Sequence, residues 1–198
     1  MGAAFGLPAS AAGPKTILVV GDSLSAEYGL PRGSGWVALL EKKLAAEKIA
    51  AQVVNASISG DTTAGGRARL PALLKAHQPA VVVIELGGND ALRGLSLDAT
   101  EANLAAMTQA AQKVGAKVLL AGMQMPPNYG VDYGQRFQAL YTKVAQSTGA
   151  ALVPFFLKGV ADRPDALEWF QPDRIHPIAK AHPTILANMW PDLQRLLK

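Results

Sequence analysis

A serine follows the first apolar run of the chain, within the segment GDSLS at residues 21–25. If that run is a strand, the Ser23 hydroxyl lies at a strand-to-loop turn, where a following helix terminus would add positive potential. This placement suits a nucleophile. A serine after Gly-Asp can also cap a helix, and for this segment alone capping is the more common role.

An imidazole base and a carboxylate occur together near the carboxyl terminus. Asp173 precedes His176 by three residues, and within a turn this spacing can bring the carboxylate onto one ring nitrogen while the other stays free to accept a proton. Pro177 suits the first position of a helix, so we expect His176 at a helix start. A solvent-facing Asp and His in a capped turn is the alternative. The other histidines, His77 and His182, show no orienting acidic partner.

Two further segments offer hydrogen-bond donors for a developing oxyanion. Asn89 follows an apolar run in the segment GGND, where two glycines let the backbone turn sharply and bring the side-chain amide over the sheet edge. Gly60, in the segment SISGDTT, offers a backbone N–H that no side chain shields from a substrate. Each segment also fits an ordinary turn, in which Asn and Asp bond their own backbone.

Apolar runs and helical periods alternate from Thr16 onward. Five runs predict short strands, several of them continuously apolar as in parallel sheets buried on both faces: residues 16–20, 52–54, 80–86, 117–121 and 151–155. Apolar residues recur at helical spacing between and after these runs: Trp36, Val37, Leu40 and Leu44; Leu70, Leu73 and Leu74; Leu104, Met107, Ala111 and Val114; Phe137, Leu140, Tyr141 and Val144; Leu186, Met189, Trp190, Leu193 and Leu197.

Strands that alternate with helices imply right-handed crossovers and a parallel sheet. We therefore predict an α/β fold, a three-layer α/β/α sandwich with a five-stranded parallel sheet. Ligands of such sheets bind outside the carboxyl ends of the strands. The serine, glycine and asparagine segments each follow a predicted strand, so we expect chemistry at that edge.

Composition limits the class of protein. With 198 residues, 49% hydrophobic and 17% charged, we expect one compact domain over residues 15–198. The net charge of +4 includes no run of Lys or Arg that could follow nucleic acid, so we expect no such partner. The chain has no cysteine for disulfides or thiol catalysis, and no apolar stretch approaches the ~20 residues that span a bilayer.

Taken together, these segments resemble a known family. GDSL at residues 21–24, Gly60, GGND ending at Asp90, and Asp173-x-x-His176 resemble the four blocks of the SGNH hydrolases, also called GDSL hydrolases. The resemblance implies a flavodoxin-like SGNH fold and a serine esterase whose triad is Ser23, Asp173 and His176. It also implies an oxyanion hole made of the Ser23 and Gly60 backbone N–H groups and the Asn89 amide, with no metal and no cofactor.

The resemblance covers nearly the whole chain from Thr16. It is closest to the bacterial periplasmic thioesterase I, lysophospholipase and arylesterase group, through the segments VVNASISGDTTAGG, ELGGNDALRG and LVPFF. It implies aryl esters, acyl thioesters and lysophospholipids as substrates, and a periplasmic or secreted location. Ala91 and Arg174 stand where that group commonly has glycine, and Arg174 puts a charge next to the triad.

Substrate contacts are predicted in the loops after the third and fourth strands. Apolar residues there can line a groove for an acyl chain, although Met and Leu more often fill a core. The candidate substrate-binding residues are Asp90, Leu92, Leu95, Met123, Met125, Pro126 and Tyr129.

Residues 1–14 lie outside the periodic pattern. Ala9-Ser10-Ala11 has the small-x-small character of a signal-peptidase site, so the stretch is a leader remnant or a disordered tail.

Three alternatives stay open. An α/β-hydrolase has the nucleophile elbow Gly-x-Ser-x-Gly, whereas Ser25 occupies the last position here. A carbohydrate deacetylase would use the same triad on the same scaffold. A non-enzymatic flavodoxin-like domain would bind a phosphate at its loops, but the chain lacks the glycine-rich fingerprints of nucleotide sites.

Overall fold

The computed structural model describes residues 13–198, which contain a five-stranded sheet. The strands are β1 (Lys15–Gly21), β2 (Ala51–Asn55), β3 (Val81–Glu85), β4 (Lys117–Ala121) and β5 (Ala151–Val153). All neighbouring pairs are parallel, and the order across the sheet is β2-β1-β3-β4-β5. This is the flavodoxin-like order, and it confirms the predicted α/β fold and its five-stranded parallel sheet.

Helices cover both faces of the sheet. The α-helices of the described residues are α1 (Trp36–Ala46), α2 (Thr63–His77), α3 (Gly88–Leu92), α4 (Leu97–Lys113), α5 (Val131–Thr148) and α6 (His182–Leu197). Short 3₁₀ turns occupy Pro127–Tyr129, Ala166–Trp169 and Ala179–Ala181. Helices α1 and α6 pack together, whereas α2, α4 and α5 form a second set of packed neighbours. These two helical layers complete the predicted sandwich.

The core is centred on β1 and β3. Side chains from Ile17 to Val20 and from Val81 to Ile84 are completely buried, because helices cover both faces and leave neither to solvent. The register pairs Gly21 with Glu85, so the two strands end side by side. The loops that carry Ser23 and Asn89 therefore emerge next to each other at the carboxyl edge of the sheet.

Some element boundaries differ from the sequence predictions. Strand β5 ends at Val153 rather than at residue 155, because Pro154 has no backbone N–H to give to the sheet. Val114 was expected on the buried face of its helix but caps the end of α4, where it is 58% exposed.

The predicted leader remnant or tail lies mostly outside the described residues, which include only Gly13 and Pro14 of it. The assignment of residues 15–198 to one domain stays a prediction. Among residues 13–198, no helix combines the length and the apolar character needed to cross a membrane.

Candidate active site

Three predicted side chains meet at the carboxyl edge of the sheet. The Oγ of Ser23 lies 2.8 Å from Nε2 of His176, and Nδ1 of the same ring lies 2.6 Å from Oδ2 of Asp173. When the neutral imidazole carries its proton on Nδ1 and donates it to Asp173, Nε2 is free to accept the hydroxyl proton. A serine held in this way can attack a carbonyl carbon.

A tight turn places the carboxylate beneath the imidazole. The Oδ1 of Asp173 accepts the backbone N–H of Ile175 at 2.9 Å and that of His176 at 3.0 Å. Partial desolvation raises the pKa of Asp173, whereas these two backbone hydrogen bonds and the contact with the His176 ring lower it. The lowering effects are larger, so the pKa of Asp173 lies below its ordinary value. The carboxylate therefore stays ionised and can orient an imidazolium. Arg174 takes the left-handed conformation in this turn, with φ of 58°.

Pro177 does not begin a helix, contrary to the sequence prediction. It pairs with Phe170 in an isolated antiparallel bridge, while the N–H of Gln171 donates to the carbonyl oxygen of His176 at 2.7 Å. His176 therefore projects from a hairpin-like turn rather than from a helix start. The ring of Tyr28 contacts the imidazole, with 4.4 Å between ring centroids.

Ser23 lies in a turn directly after β1. The carbonyl of Asp22 accepts the N–H of Ser25 at 3.2 Å, and Oδ1 of Asp22 accepts the N–H of Leu24 at 3.0 Å. The expected helix does not follow directly, because α1 begins only at Trp36. Ser23 therefore caps no helix, and α1 does not supply the positive potential that was expected at its hydroxyl.

Two backbone N–H groups near this turn are available to a ligand. Within residues 13–198, neither the Ser23 N–H nor the Gly60 N–H donates a hydrogen bond. Gly60 has a φ of 79°, and a Cβ added there would lie 3.5 Å from Nη2 of Arg93, which donates to the Gly60 carbonyl at 2.8 Å. The positive φ accounts for glycine at this position.

The Asn89 amide connects the loops after β1, β2 and β3. Its Nδ2 donates to Oδ2 of Asp22 at 2.9 Å and to the carbonyl of Asp61 at 2.9 Å. Both amide hydrogens are thus used within the protein. For this amide to bind an oxyanion, one of the two bonds must be shared or released.

Buried carboxyl groups support the serine turn, a role that was not predicted from the sequence. Glu85, the last residue of β3, is 1% exposed, and its Oε2 accepts the Ser25 hydroxyl at 2.7 Å and the Asp22 N–H at 3.3 Å. Burial first, and then the charge of Asp22, raise the pKa of Glu85 well above its ordinary value. Burial also raises the pKa of Asp22 to about 6, against the hydrogen bond from Leu24 that lowers it. The sequence signal for this role is the acidic residue at the end of the apolar run VVVIE.

An apolar groove of about 420 Å³ adjoins these groups. Gly88 and Ile175, the immediate neighbours of Asn89 and His176, contribute to its wall. Four predicted substrate-binding residues line it: Leu92, Met123, Met125 and Pro126. Further lining comes from side chains outside the predicted set of substrate contacts: Phe137, Phe155, Leu157, Leu167 and Phe170, with Asp162 and Arg174 as the charged members.

Three predicted substrate-binding residues do not line this groove. Asp90 is 2% exposed, and its carboxylate accepts the Thr63 N–H at 2.9 Å and the Thr63 hydroxyl at 2.5 Å, so it ties α3 to α2 instead. Leu95 is 44% exposed, in a turn closed by its own N–H bond to the Asp90 carbonyl. Tyr129 is 37% exposed at the end of a 3₁₀ turn.

No group of three or more His, Asp or Glu side chains suited to holding a metal ion occurs among residues 13–198. His182 lies at the start of α6, where its Nδ1 accepts the Trp36 N–H at 3.0 Å.

Comparison with known proteins assigns the family. Residues 19–183 match the model of the GDSL-like lipase/acylhydrolase family. The chain belongs to this family. The GDSL-like hydrolase is 55% identical to esterase TesA of Pseudomonas aeruginosa over 186 aligned residues. The alignment covers 94% of this chain and 91% of the relative. It is 45% identical over 187 residues to the thioesterase 1/protease 1/lysophospholipase L1 of Escherichia coli strain K12, covering 94% and 87% of the two chains. A crystal structure of TesA aligns with a TM-score of 0.88 at 55% identity, over 92% of this chain and 99% of that one.

These relationships decide the enzyme class. The GDSL-like hydrolase is an ester-cleaving serine hydrolase with an SGNH fold, as predicted. They do not favour the deacetylase or the non-enzymatic binding domain.

Proposed function

We propose that Ser23 is the nucleophile of this hydrolase, His176 its general base and acid, and Asp173 the carboxylate that orients the imidazole. The proposal is carried by one observation: the contacts of 2.8 Å and 2.6 Å join the three side chains in series. These distances match those of a nucleophile, a base and an orienting acid in a serine hydrolase.

The reaction proceeds through an acyl-enzyme. Nε2 of His176 takes the proton of Ser23 while Oγ bonds to the acyl carbonyl carbon, giving a tetrahedral oxyanion. The intermediate collapses, and the leaving alcohol, phenol or thiol takes the proton from Nε2. Water then attacks the acyl carbon with His176 again as base, and Ser23 is released with a carboxylic acid as second product. Asp173 stabilises the imidazolium in both halves of the cycle.

The oxyanion is proposed to bind three donors: the N–H groups of Ser23 and Gly60 and the amide of Asn89. Support comes from the two free backbone N–H groups and from the position of Asn89 between the loops after β1 and β2. A donor of this kind is worth about 3 kcal/mol in the transition state. Asn89 can contribute by sharing the hydrogen that it now directs at Asp61 or Asp22.

The acyl chain is proposed to lie in the apolar groove. Leu92, Met123, Met125 and Pro126 line it, and its volume of about 420 Å³ far exceeds what an acetyl group fills. We propose aryl esters, acyl thioesters and lysophospholipids as substrates, since an acyl-enzyme is common to all three. The names of the relatives, which include thioesterase and lysophospholipase, support this range.

Labelling with a fluorophosphonate and mass spectrometry tests the nucleophile. We expect a single adduct on Ser23, no adduct in Ser23→Ala, and a loss of ester hydrolysis of at least about a thousandfold in that variant. Ser147→Ala, an exposed residue near the carboxyl end of α5 that does not line the groove, is the matched control and should label and hydrolyse like the parent. Equal hydrolysis by Ser23→Ala and the parent would reject the assignment.

A series of nitrophenyl esters of increasing acyl length tests the groove. We expect kcat/KM to rise from acetyl to medium chains, because each buried methylene contributes about 0.8 kcal/mol. Filling the groove with Met123→Trp should remove the preference for long chains and leave acetyl ester hydrolysis nearly unchanged. Activity confined to the acetyl ester in the parent chain would instead indicate a deacetylase.

We also propose a periplasmic or secreted location. Support comes from the small-x-small sequence Ala9-Ser10-Ala11 and from the resemblance to a periplasmic group. Osmotic shock of the bacterium that encodes the chain tests it: release of activity with periplasmic markers is expected, and retention with cytoplasmic markers would contradict it.

A further inference from the structure

Gln171 lies between the loop that carries Ser23 and the loop that carries His176. Its backbone N–H donates to the carbonyl oxygen of His176 at 2.7 Å. Its side-chain Nε2 donates to the carbonyl oxygens of Tyr28 at 2.9 Å and of Pro177 at 3.3 Å. One residue is therefore bonded to the His176 loop through its backbone and to the opposite loop through its side chain.

The connection continues from Tyr28 to the nucleophile. The N–H of Tyr28 donates to the carbonyl oxygen of Ser23 at 3.3 Å, and the Tyr28 ring contacts the His176 ring at 4.4 Å between centroids. A route of backbone and side-chain hydrogen bonds thus runs from His176 through Gln171 and Tyr28 to Ser23. It joins two loops that are more than 140 positions apart in sequence.

Gly29 allows the close approach of these loops. It has a φ of 68°, and a Cβ added there would lie 2.2 Å from Oε1 of Gln171. No side chain fits at that distance without displacing the amide. The contact between Gln171 and the Tyr28–Gly29 backbone is therefore closely packed as well as hydrogen-bonded.

We infer that Gln171 is a positioning residue that sets the separation between Ser23 and His176. The inference rests on the proposed roles of those two residues. Gln171 does not line the acyl groove, so it acts on the base and the nucleophile and not on the bound acyl chain. Proton transfer requires hydrogen-bonding distance, and a misplacement of about 1 Å can lower the rate about a hundredfold.

Steady-state kinetics of Gln171→Ala with a short nitrophenyl ester test the inference. We expect kcat to fall at least about tenfold, KM to change less than about twofold, and the rate of fluorophosphonate labelling of Ser23 to fall with kcat. Gln171→Glu keeps the shape of the side chain but has no Nε2 donor. It should likewise lower kcat and leave KM nearly unchanged. Gln135→Ala, an exposed glutamine on α5, is the matched control and should match the parent.

A double-mutant cycle with Gly29→Ala separates positioning from general loosening of the fold. Gly29→Ala alone should lower kcat, because its Cβ displaces the Gln171 amide. In a Gln171→Ala background the amide is gone, so Gly29→Ala should lower kcat less than it does in the parent chain, through the strain of a Cβ at a φ of 68° alone. Independent, multiplicative losses would overturn the inference.

The outcomes also separate this inference from the proposed function. If the parent chain does not label at Ser23, the proposed function fails. If the parent labels and both Gln171 variants keep its kcat, or lose activity only through KM, the positioning role alone is rejected. Should Gln171→Ala fail to fold by circular dichroism, Gln171→Glu carries the same comparison.

Discussion

A single amide, that of Asn89, joins three loops of the candidate active site. It donates to the carboxylate of Asp22 after β1 and to the carbonyl of Asp61 after β2. Burial raises the pKa of Asp22 to about 6, and the hydrogen bond from the Asn89 amide acts against this rise because it favours the carboxylate. The amide is therefore oriented before a substrate arrives, as a preorganised oxyanion donor requires.

Removing that amide should reduce turnover far more than stability. We expect Asn89→Ala to lower kcat about a hundredfold or more, with a small change in KM, because the donor acts mainly in the transition state. Nitrophenyl ester kinetics and thermal unfolding measure both quantities. Gln112→Ala removes a side-chain amide that donates to the carbonyl oxygen of Thr148 at 2.9 Å, and it serves as control. A kcat of Asn89→Ala within about threefold of the parent would exclude Asn89 from the oxyanion hole.

Glu85 should make stability depend on pH. Its folded pKa is raised above the unfolded value by burial, so its favourable contribution is present at low pH and is lost as the pH rises through the folded pKa. The amide of Glu85→Gln does not ionise and escapes this loss. We therefore expect the free energy of unfolding of Glu85→Gln, relative to the parent, to increase from about pH 5 to about pH 8 in urea titrations.

The exposed Glu168 provides the comparison for that experiment. Glu168→Gln should differ from the parent by nearly the same small amount at both pH values. If the free energy of unfolding of Glu85→Gln also differs from that of the parent by the same amount at both pH values, burial does not control the ionisation of Glu85.

At the scale of elements, the amino terminus of α2 is tied to α3, and this joint holds the Gly60 loop in place. The hydroxyl of Thr62 accepts the Gly65 N–H at 3.3 Å, and Asp90 accepts both the N–H and the hydroxyl of Thr63. Gly60 precedes this helix start, and Asn89 adjoins Asp90 in α3. Two proposed oxyanion donors are thus positioned by one joint between two helices.

Asp90→Ala should therefore act on stability and not on substrate binding. Loss of a buried acceptor leaves the Thr63 donors unpaired, so we expect a destabilisation of about 2 kcal/mol or more. KM should be the same within about twofold across acyl lengths, because Asp90 does not line the groove. Urea unfolding and steady-state kinetics measure the two effects, with the exposed Asp98→Ala as control. A large rise in KM without destabilisation would restore Asp90 as a substrate contact.

At the scale of the whole molecule, the parallel sheet gathers residues that are distant in sequence. Ser23 and His176 are 153 positions apart but lie within hydrogen-bonding distance. All five strands run in one direction, so the loops after them emerge at one edge. The site therefore depends on the buried central strands, which contribute no atom to the chemistry.

Val83 in β3 tests that dependence, since it is completely buried. Val83→Ala should destabilise the chain by about 2 kcal/mol, through the loss of two buried methyl groups and the cavity that remains. The same substitution at Val114, which is 58% exposed, should change stability by less than about 0.5 kcal/mol. Both variants should keep the parent kcat well below the unfolding transition. A large loss of kcat in folded Val83→Ala would show that the core also tunes the site.

The sequence by itself determined the class of fold and the residues proposed for the chemistry. Continuously apolar runs separated by helical periods are sufficient to indicate a buried parallel sheet, because period and burial are local properties of the pattern. The three-residue spacing of Asp173 and His176 is likewise local, since both hydrogen bonds between these residues lie within one turn.

Only the tertiary structure decided the contacts between distant segments. Glu85 under the serine turn, Gln171 against Tyr28, and Asp90 on Thr63 each join residues at least 27 positions apart, and no periodicity encodes such pairs. The groove differs from the prediction for the same reason: its wall combines the predicted loops with Phe155 and Phe170 from later in the chain. Which side chains meet across a sheet edge depends on how the layers pack, and packing is settled by the whole chain at once.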